Sequence, residues 1–232
     1  MQLENRVTGD RVEVNSLKQR VTRMRRRVSM WANLLKPYLE DRRHFRLVMV
    51  TLTYRDKTAW SPYDISKFVL KLKGVLGDGL LAYAWVGEMQ ARGAVHYHVM
   101  LVTMAGVRIP YPDEGLWIYG MSRIETARTP FYIVKYVGKD HQRENFPKGM
   151  RIFALYVRRG VLTDNEKWEL MVTALPVWLA EKMRTLYGTG TWVKRLPGGG
   201  WRVGKGGVEG DYDELESDWV VLAVDGDSND RE

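Results

Sequence analysis

The chain has 232 residues, of which 45% are hydrophobic and 11% aromatic, enough for one substantial folded domain with extensions. It contains no cysteine, which excludes disulfide scaffolds, thiol nucleophiles and zinc sites with cysteine ligands. The longest strongly apolar run, residues 80–86, is too short to span a bilayer. The first residues are polar and show no signal peptide, so the sequence predicts a soluble intracellular protein with no membrane partner.

Basic residues outnumber acidic ones, and the two are unevenly distributed. There are 36 lysines and arginines against 28 aspartates and glutamates, for a net charge of +8. From residue 209 onward there are ten acidic residues and one basic residue, so this tail carries −9 and residues 1–208 carry +17. A body this basic favours a polyanionic partner such as nucleic acid. A basic protein that is merely soluble is the alternative.

A basic amphipathic helix is predicted over residues 17–39, because apolar side chains recur along it at steps of three and four residues. Pro37 is expected to kink or end this helix. The other face carries basic residues with no acidic residue among them. Four of them are candidates for contacts with DNA phosphates: Arg23, Arg25, Arg26 and Arg27.

Strands and helices follow in alternation. Residues 45–54 predict a buried strand, and Ser61-Pro62 opens a second helix that Gly74 and Gly77 close. Residues 80–89 and 94–103 predict an antiparallel hairpin across a short turn at Gly93. The remaining predictions are strands at 116–124 and 150–157, a short helix at 129–139, helix at 163–187 with a break near Pro176, and a hairpin at 192–203.

This order of elements predicts an α+β fold with helices packed against a mostly antiparallel sheet. Four regions are expected along the chain. They are a basic N-terminal helix region at 1–45, a core at 46–160, a helical and hairpin extension packed on the core at 161–208, and an acidic, mobile tail at 209–232.

Two of the four histidines, His96 and His98, lie two residues apart on a predicted strand. Their side chains therefore point to the same face and can hold one divalent ion. Antiparallel pairing across the Gly93 turn brings Glu88 near them. Two imidazoles and one carboxylate form a three-ligand metal site with open positions for water and phosphate oxygens. An ordinary pair of strand histidines beside a surface glutamate is the alternative.

The predicted short helix carries Tyr132, Lys135, Tyr136 and Lys139 on one face, at i, i+3, i+4 and i+7. A tyrosine hydroxyl can attack a phosphodiester and stay covalently joined to the phosphate. It needs help, since the usual tyrosine pKa is about 10. A metal ion and neighbouring lysines would supply that help. Tyrosines that merely pack an amphipathic helix are the alternative.

These motifs together resemble a known family. His96-Tyr97-His98, followed by the Tyr-Ile-Val-Lys-Tyr-Val-Gly-Lys sequence of residues 132–139, resembles the HUH endonucleases. The similarity is greatest to rolling-circle replication initiators of small single-stranded DNA phages and plasmids. Residues 50–54 are similar to their first motif, and Glu88 stands where related initiators have a carboxylate metal ligand. The similar motifs span residues 46–140.

The resemblance implies a five-stranded antiparallel sheet of the HUH type, related to the RRM fold, with the histidines on a central strand and the tyrosine helix beside it. It implies Mg²⁺ or Mn²⁺ as the cofactor, and site-specific cleavage of single-stranded DNA at an origin hairpin. One tyrosine becomes joined to the 5′ phosphate, and a 3′ hydroxyl is left as a primer. In related single-tyrosine initiators a glutamate stands at the place of Tyr132, so Tyr136 is the expected first nucleophile.

The sequence lacks a GxxxxGK[ST] phosphate loop, so strand separation is expected to depend on a host helicase or on supercoiling, and synthesis on a host polymerase. The expected location is the host cytoplasm, in association with DNA. Other functions stay open: a transposase, which usually has one tyrosine, a relaxase, which usually has three histidine ligands, or a non-catalytic nucleic-acid-binding protein on the same sheet.

Overall fold

The structure is a computed structural model that describes residues 2–13, 15–137, 146–147, 150–197, 200–205, 212–215 and 219–223. Its helices are α1 (Ser16–Glu40), α2 (Asp64–Leu76), α3 (Val134–Val137), α4 (Asp164–Val172) and α5 (Val177–Lys182). Its strands are β1 (Gln2–Asn5), β2 (Arg11–Glu13), β3 (Phe45–Tyr54), β4 (Leu80–Met89), β5 (Val95–Met104), β6 (Gly120–Thr126), β7 (Phe153–Val157), β8 (Thr191–Arg195), β9 (Trp201–Lys205), β10 (Tyr212–Leu215) and β11 (Trp219–Ala223). Within these ranges, no helix is both long and apolar enough to cross a membrane.

Five strands form the central sheet in the order β6-β3-β5-β4-β7, and each neighbouring pair is antiparallel. β3 and β4 have the predicted bounds, and β4 and β5 form the predicted hairpin. Gly93 turns this hairpin with φ +83°, a conformation that glycine adopts readily because it has no Cβ. The predicted α+β class with a five-stranded antiparallel sheet is confirmed.

The two faces of this sheet pack against different helices. On one face, α1 and α3 bury side chains such as Trp31 and Val137 against Met100 of β5. On the other face, Phe68 of α2 packs in a cluster with Leu101 of β5. Side chains alternate along a strand, so the two histidines of β5 share the face of Met100. The candidate site therefore lies beside α3.

Helix α1 begins after Asn15, whose side chain accepts a hydrogen bond of 2.9 Å from the Lys18 backbone N–H. An asparagine at this position stabilises a helix start. Pro37 lies inside the helix, which continues to Glu40. The expectation that Pro37 ends the helix is wrong. The proline lacks a donor for the carbonyl of Asn33, but Asn33 is exposed, so water can satisfy that carbonyl.

Two elements of the core start later than expected. β6 begins at Gly120 and not at residue 116, because residues 112–114 form a 3₁₀ turn and the buried Trp117 donates its backbone N–H to the Pro112 carbonyl. A Cβ at Gly120 would lie 2.1 Å from the Thr53 carbonyl oxygen, so only glycine fits where β6 meets β3. β7 begins at Phe153 and not at residue 150.

The segment after residue 160 follows the prediction closely. The predicted break near Pro176 separates α4 from α5, and a π-helical turn at Met183–Tyr187 continues α5. β8 and β9 form the predicted hairpin. This region has a core cluster of its own, which includes Trp168, Leu179 and Met183.

The acidic tail differs from the expectation. β10 pairs with β9, and β11 pairs with β1 from the other end of the chain. β1 also pairs with β2, and the sequence did not predict either of these N-terminal strands. A mobile tail is therefore the wrong description for residues 212–215 and 219–223. The other residues from 209 onward lie outside the described ranges.

Candidate active site

Strand register brings the three expected metal ligands together. Glu88 of β4 pairs with His96 of β5, and His98 lies two residues further along the same face. Ligand atoms of Glu88, His96 and His98 lie within 4.8 Å of one another. All three residues are buried, with between 5% and 9% of their surface exposed. Surface exposure of Glu88, which was part of the alternative interpretation, is therefore wrong.

Two threonines of β3 hold the histidine rings from the other side. Thr53 pairs with His96 in the sheet, and Thr51 pairs with His98. The Thr53 hydroxyl lies 2.7 Å from Nδ1 of His96, and the Thr51 hydroxyl lies 3.5 Å from Nδ1 of His98. Hydrogen bonds of this kind fix the orientation of a ligand ring. Sequence reasoning missed both threonines, because their role depends on the β3–β5 register.

Further contacts complete the surroundings of the rings. Nε2 of His98 lies 3.1 Å from Oε1 of Glu88, and Nε2 of Gln90 lies 3.1 Å from Nδ1 of His96. Arg92 in the hairpin turn donates to the Gln90 side-chain oxygen at 2.9 Å. The hairpin turn is thus tied to the candidate metal group through side chains.

The donor set of Glu88, His96 and His98 fits a divalent ion. One carboxylate and two imidazoles converge within a volume small enough for a single ion, and hydroxyl partners orient the rings. Imidazole ligands suit a transition metal such as Mn²⁺ better than Mg²⁺, which prefers oxygen ligands. The site could thus bind a metal ion, and its ligand chemistry favours Mn²⁺ between the two expected ions.

The tyrosine segment lies directly over this group. The ring of Tyr136 stacks on His98, with centroids 3.5 Å apart and an interplanar angle of 19°. Tyr132 meets Tyr136 edge to face, with centroids 5.7 Å apart. The buried side chains of Ile133 and Val137 anchor the segment in the core. The predicted tyrosine face is confirmed, although Tyr132 lies in a 3₁₀ turn that precedes α3.

Lys135 lies between the two tyrosines. Its Nζ is 3.4 Å from the centroid of the Tyr132 ring and 4.7 Å from that of Tyr136. A cation so placed stabilises negative charge on either hydroxyl. Lys139, the fourth expected member of this face, lies outside the described residues.

The two hydroxyls differ in pKa and in position. Hydrogen bonds to Lys135 and then to Tyr136 lower the pKa of Tyr132. Burial, followed by a hydrogen bond to Tyr132, raises the pKa of Tyr136 to about 12. Ionisation alone therefore favours Tyr132, whereas contact with His98 favours Tyr136. Position is the stronger criterion, because a nucleophile must reach the phosphate before its pKa matters.

The sheet surface leading away from the site is open at β6. In register, Arg123 pairs with Thr51 and Met121 pairs with Thr53. Both β6 side chains are exposed, and Arg123 lies 2.7 Å from Glu125. A basic and an apolar side chain thus flank the approach to the histidines.

The four arginines expected to contact phosphates do not share one environment. Arg23 and Arg25 are exposed on α1, and Arg26 is half-buried. The guanidinium of Arg27 lies 5.5 Å from the Phe153 ring centroid, and burial lowers its pKa. Arg27 therefore packs against β7, and its assignment to an exposed phosphate-binding face is wrong.

Comparison with known proteins agrees with this geometry. Residues 47–141 match the model of a family of replication-associated proteins, the ORF2 group. The matched segment contains Glu88, both histidines and both tyrosines of the site, and the match supports a replication initiator family and an association with DNA. It covers less than half of the chain. No curated protein and no solved structure matches the chain.

Proposed function

We propose that the protein starts rolling-circle replication as a metal-dependent, site-specific endonuclease and strand transferase acting on single-stranded DNA. The observation that carries this proposal is the stacking of Tyr136 on His98, 3.5 Å between ring centroids. It puts a potential nucleophile in contact with a ligand group suited to a divalent ion. The family match supports a replication role for the same segment.

Glu88, His96 and His98 would hold the metal ion, which when bound would polarise the scissile phosphate. The Tyr136 oxygen attacks the phosphorus and loses its proton, and the bond from phosphorus to the 3′ oxygen breaks. That oxygen gains a proton and becomes a free 3′ hydroxyl, a primer for a host polymerase. The 5′ phosphate stays joined to the tyrosine. Lys135 offsets the charge that develops on the phenolate and the phosphate.

Tyr132 is assigned to a second transfer. After the first cleavage Tyr136 carries covalent DNA, and a regenerated origin must be cut again. The neighbouring hydroxyl is the nearest replacement, since the two rings are in contact. Lys139 would add a further positive charge on this side. Strand separation would come from a host helicase or from supercoiling.

A covalent-adduct experiment tests the proposal. Single-stranded oligonucleotides, including predicted hairpins, are tiled across the replicon that encodes the chain and incubated with the protein and Mn²⁺. A 3′-labelled strand should give a protein–DNA band that resists denaturation. A 5′-labelled strand should give a shorter product that a polymerase can extend.

The matched variants are Tyr136→Phe and Tyr83→Phe. Tyr136→Phe should lose the adduct, whereas Tyr83→Phe, which changes a tyrosine stacked on Tyr156, should keep it. Adduct formation by the Tyr132→Phe/Tyr136→Phe double variant would refute tyrosine chemistry at this site. Absence of any adduct from the unmodified protein across all strands would favour a non-catalytic DNA-binding role.

A further inference from the structure

The region that follows the central sheet has the connectivity of a helix-turn-helix with a β-hairpin after it. α4 and α5 are separated by the four residues 173–176. The π-helical turn lengthens α5 to Tyr187, and the β8–β9 hairpin follows after residues 188–190. Two helices joined by a turn of this length form the common motif whose second helix enters the major groove of DNA.

This unit is built around its own core and docks on the rest of the chain through its first helix. Trp168 of α4, Leu179 of α5 and Val203 of β9 belong to one buried cluster. Leu170 of α4 packs against the cluster formed by α1 and the central sheet. α4 is thus the attachment to the core.

Charge is divided between the two helices in the way that a DNA-binding unit requires. α4 contains three acidic residues and one basic residue, whereas residues 177–205 contain six basic residues and one acidic residue. Lys182 and Arg184 are exposed on the second helix, and Lys194 and Arg195 are exposed on β8. β8 is an edge strand of the β10-β9-β8 sheet. The helix and the strand that follow α4 therefore carry the positive charge.

Exposed apolar side chains accompany these charges. Val177 and Leu186 on the second helix are 57% and 64% exposed, and Trp192 on β8 is 36% exposed. The Arg184 guanidinium lies 3.3 Å from Glu169, so it is partly neutralised, and Lys182 and Arg195 are the clearer phosphate contacts. Protein surfaces that bind DNA combine phosphate-binding cations with apolar contacts to bases and sugars.

We infer that residues 164–205 form a second nucleic-acid site that binds double-stranded DNA through the second helix and the β8–β9 hairpin. This site is separate from the metal group on the central sheet. It would hold the protein on duplex DNA beside the position where a single strand is cut. Neither the family match, which ends at residue 141, nor the nuclease chemistry assigns a role to it.

The test uses the full chain and a blunt duplex of about 30 base pairs, long enough for several phosphate contacts. Binding is followed by fluorescence anisotropy in EDTA at several salt concentrations, so that no cleavage contributes. The variant is Lys182→Glu/Arg195→Glu. Its duplex affinity at low salt should fall at least tenfold, and the slope of log affinity against log salt should become shallower by about 2, from two lost phosphate contacts.

The control is Arg43→Glu/Arg108→Glu, which makes the same charge change at two exposed residues in loops at the end of the sheet far from the histidines. Adduct formation on a short single strand should be unchanged in both variants. An equal loss of duplex affinity in both variants would overturn the inference, as would an equal loss of single-strand affinity in the Lys182→Glu/Arg195→Glu variant. If circular dichroism shows that this variant is unfolded, Lys182→Gln/Arg195→Gln should lose about half of the salt-slope change, with the same outcomes decisive.

Discussion

Val95, Tyr97 and Val99 on one face of β5 are buried under α2, whereas His96 and His98 on the other face lie next to α3. The same ten-residue strand thus serves a purely apolar layer and a polar site. The difference shows how this fold separates stability from chemistry. Packing on the α2 side fixes the strand, and the fixed strand then holds the ligands on the other side.

The α2 face is closed by aromatic side chains. Trp117 meets Tyr54 with centroids 5.0 Å apart, Tyr97 at 6.1 Å and Phe68 at 6.2 Å, each edge to face. Contacts of this type add about 0.5–1.5 kcal/mol each beyond burial. The hydroxyl of Tyr54 donates to Asp64 at 2.9 Å, which ties this cluster to the start of α2. On the site face, the corresponding end of the sheet carries polar side chains.

Removing one ligand should give the largest difference between the two faces. We expect His98→Ala to abolish cleavage and to lower Mn²⁺ affinity by more than the roughly 10–100-fold that loss of a supporting hydrogen bond costs. Binding of DNA should largely persist, because phosphate contacts come from other residues. Mn²⁺ titration, the adduct gel and anisotropy measure the three quantities. Full cleavage by this variant, or by the unmodified protein in excess EDTA, would contradict the metal assignment.

The two tyrosines sharpen the comparison within the site face. Tyr136→Phe should lose the first cleavage, because its ring is the one in contact with His98. Tyr132→Phe should still cleave once but should be impaired in a second, strand-joining transfer. Phenylalanine keeps the ring packing, so a loss reports the hydroxyl. The reverse pattern on a two-step strand-transfer substrate would exchange the two assignments.

A large-to-small change on the α2 face should affect stability and leave the chemistry intact. Leu101 is fully buried in the α2 cluster, and Leu101→Ala should lower the free energy of unfolding by about 2–5 kcal/mol. Chemical denaturation measures this loss. Mn²⁺ affinity of the folded variant should stay within about threefold of the unmodified protein, since a threefold change is below 1 kcal/mol. A much larger fall would mean that the α2 face does not act through stability alone.

The smallest effect compares one substitution on the two faces. Thr53→Val removes the hydroxyl that contacts His96 at 2.7 Å and should weaken Mn²⁺ binding about tenfold, as expected for a supporting residue. Thr103→Val removes a buried hydroxyl on the α2 face that has no hydrogen-bond partner among the described residues. It should leave Mn²⁺ binding unchanged and stability unchanged or slightly higher. Equal effects of the two variants on Mn²⁺ affinity would deny Thr53 its orienting role.

Local sequence patterns were sufficient for several parts of this protein. The two-residue spacing of His96 and His98 determined that they share a face, and the Gly93 turn brought Glu88 opposite His96. The spacing of Tyr132 and Tyr136 likewise placed the two rings together. Each of these relations joins residues close in sequence, where backbone geometry leaves few choices.

Tertiary structure decided what local patterns could not. Thr51 and Thr53 meet the histidines only through a pairing of β3 with β5 across more than forty residues, and the stacking of Tyr136 on His98 depends on how α3 packs against the sheet. Packing also turned Arg27 toward Phe153, and strand pairing joined part of the acidic tail to the N-terminal strand. Such contacts depend on which distant surfaces bury each other, and hydrophobic burial is non-directional. The sequence therefore determined the chemistry that β5 and α3 carry, and the fold determined which residues surround it.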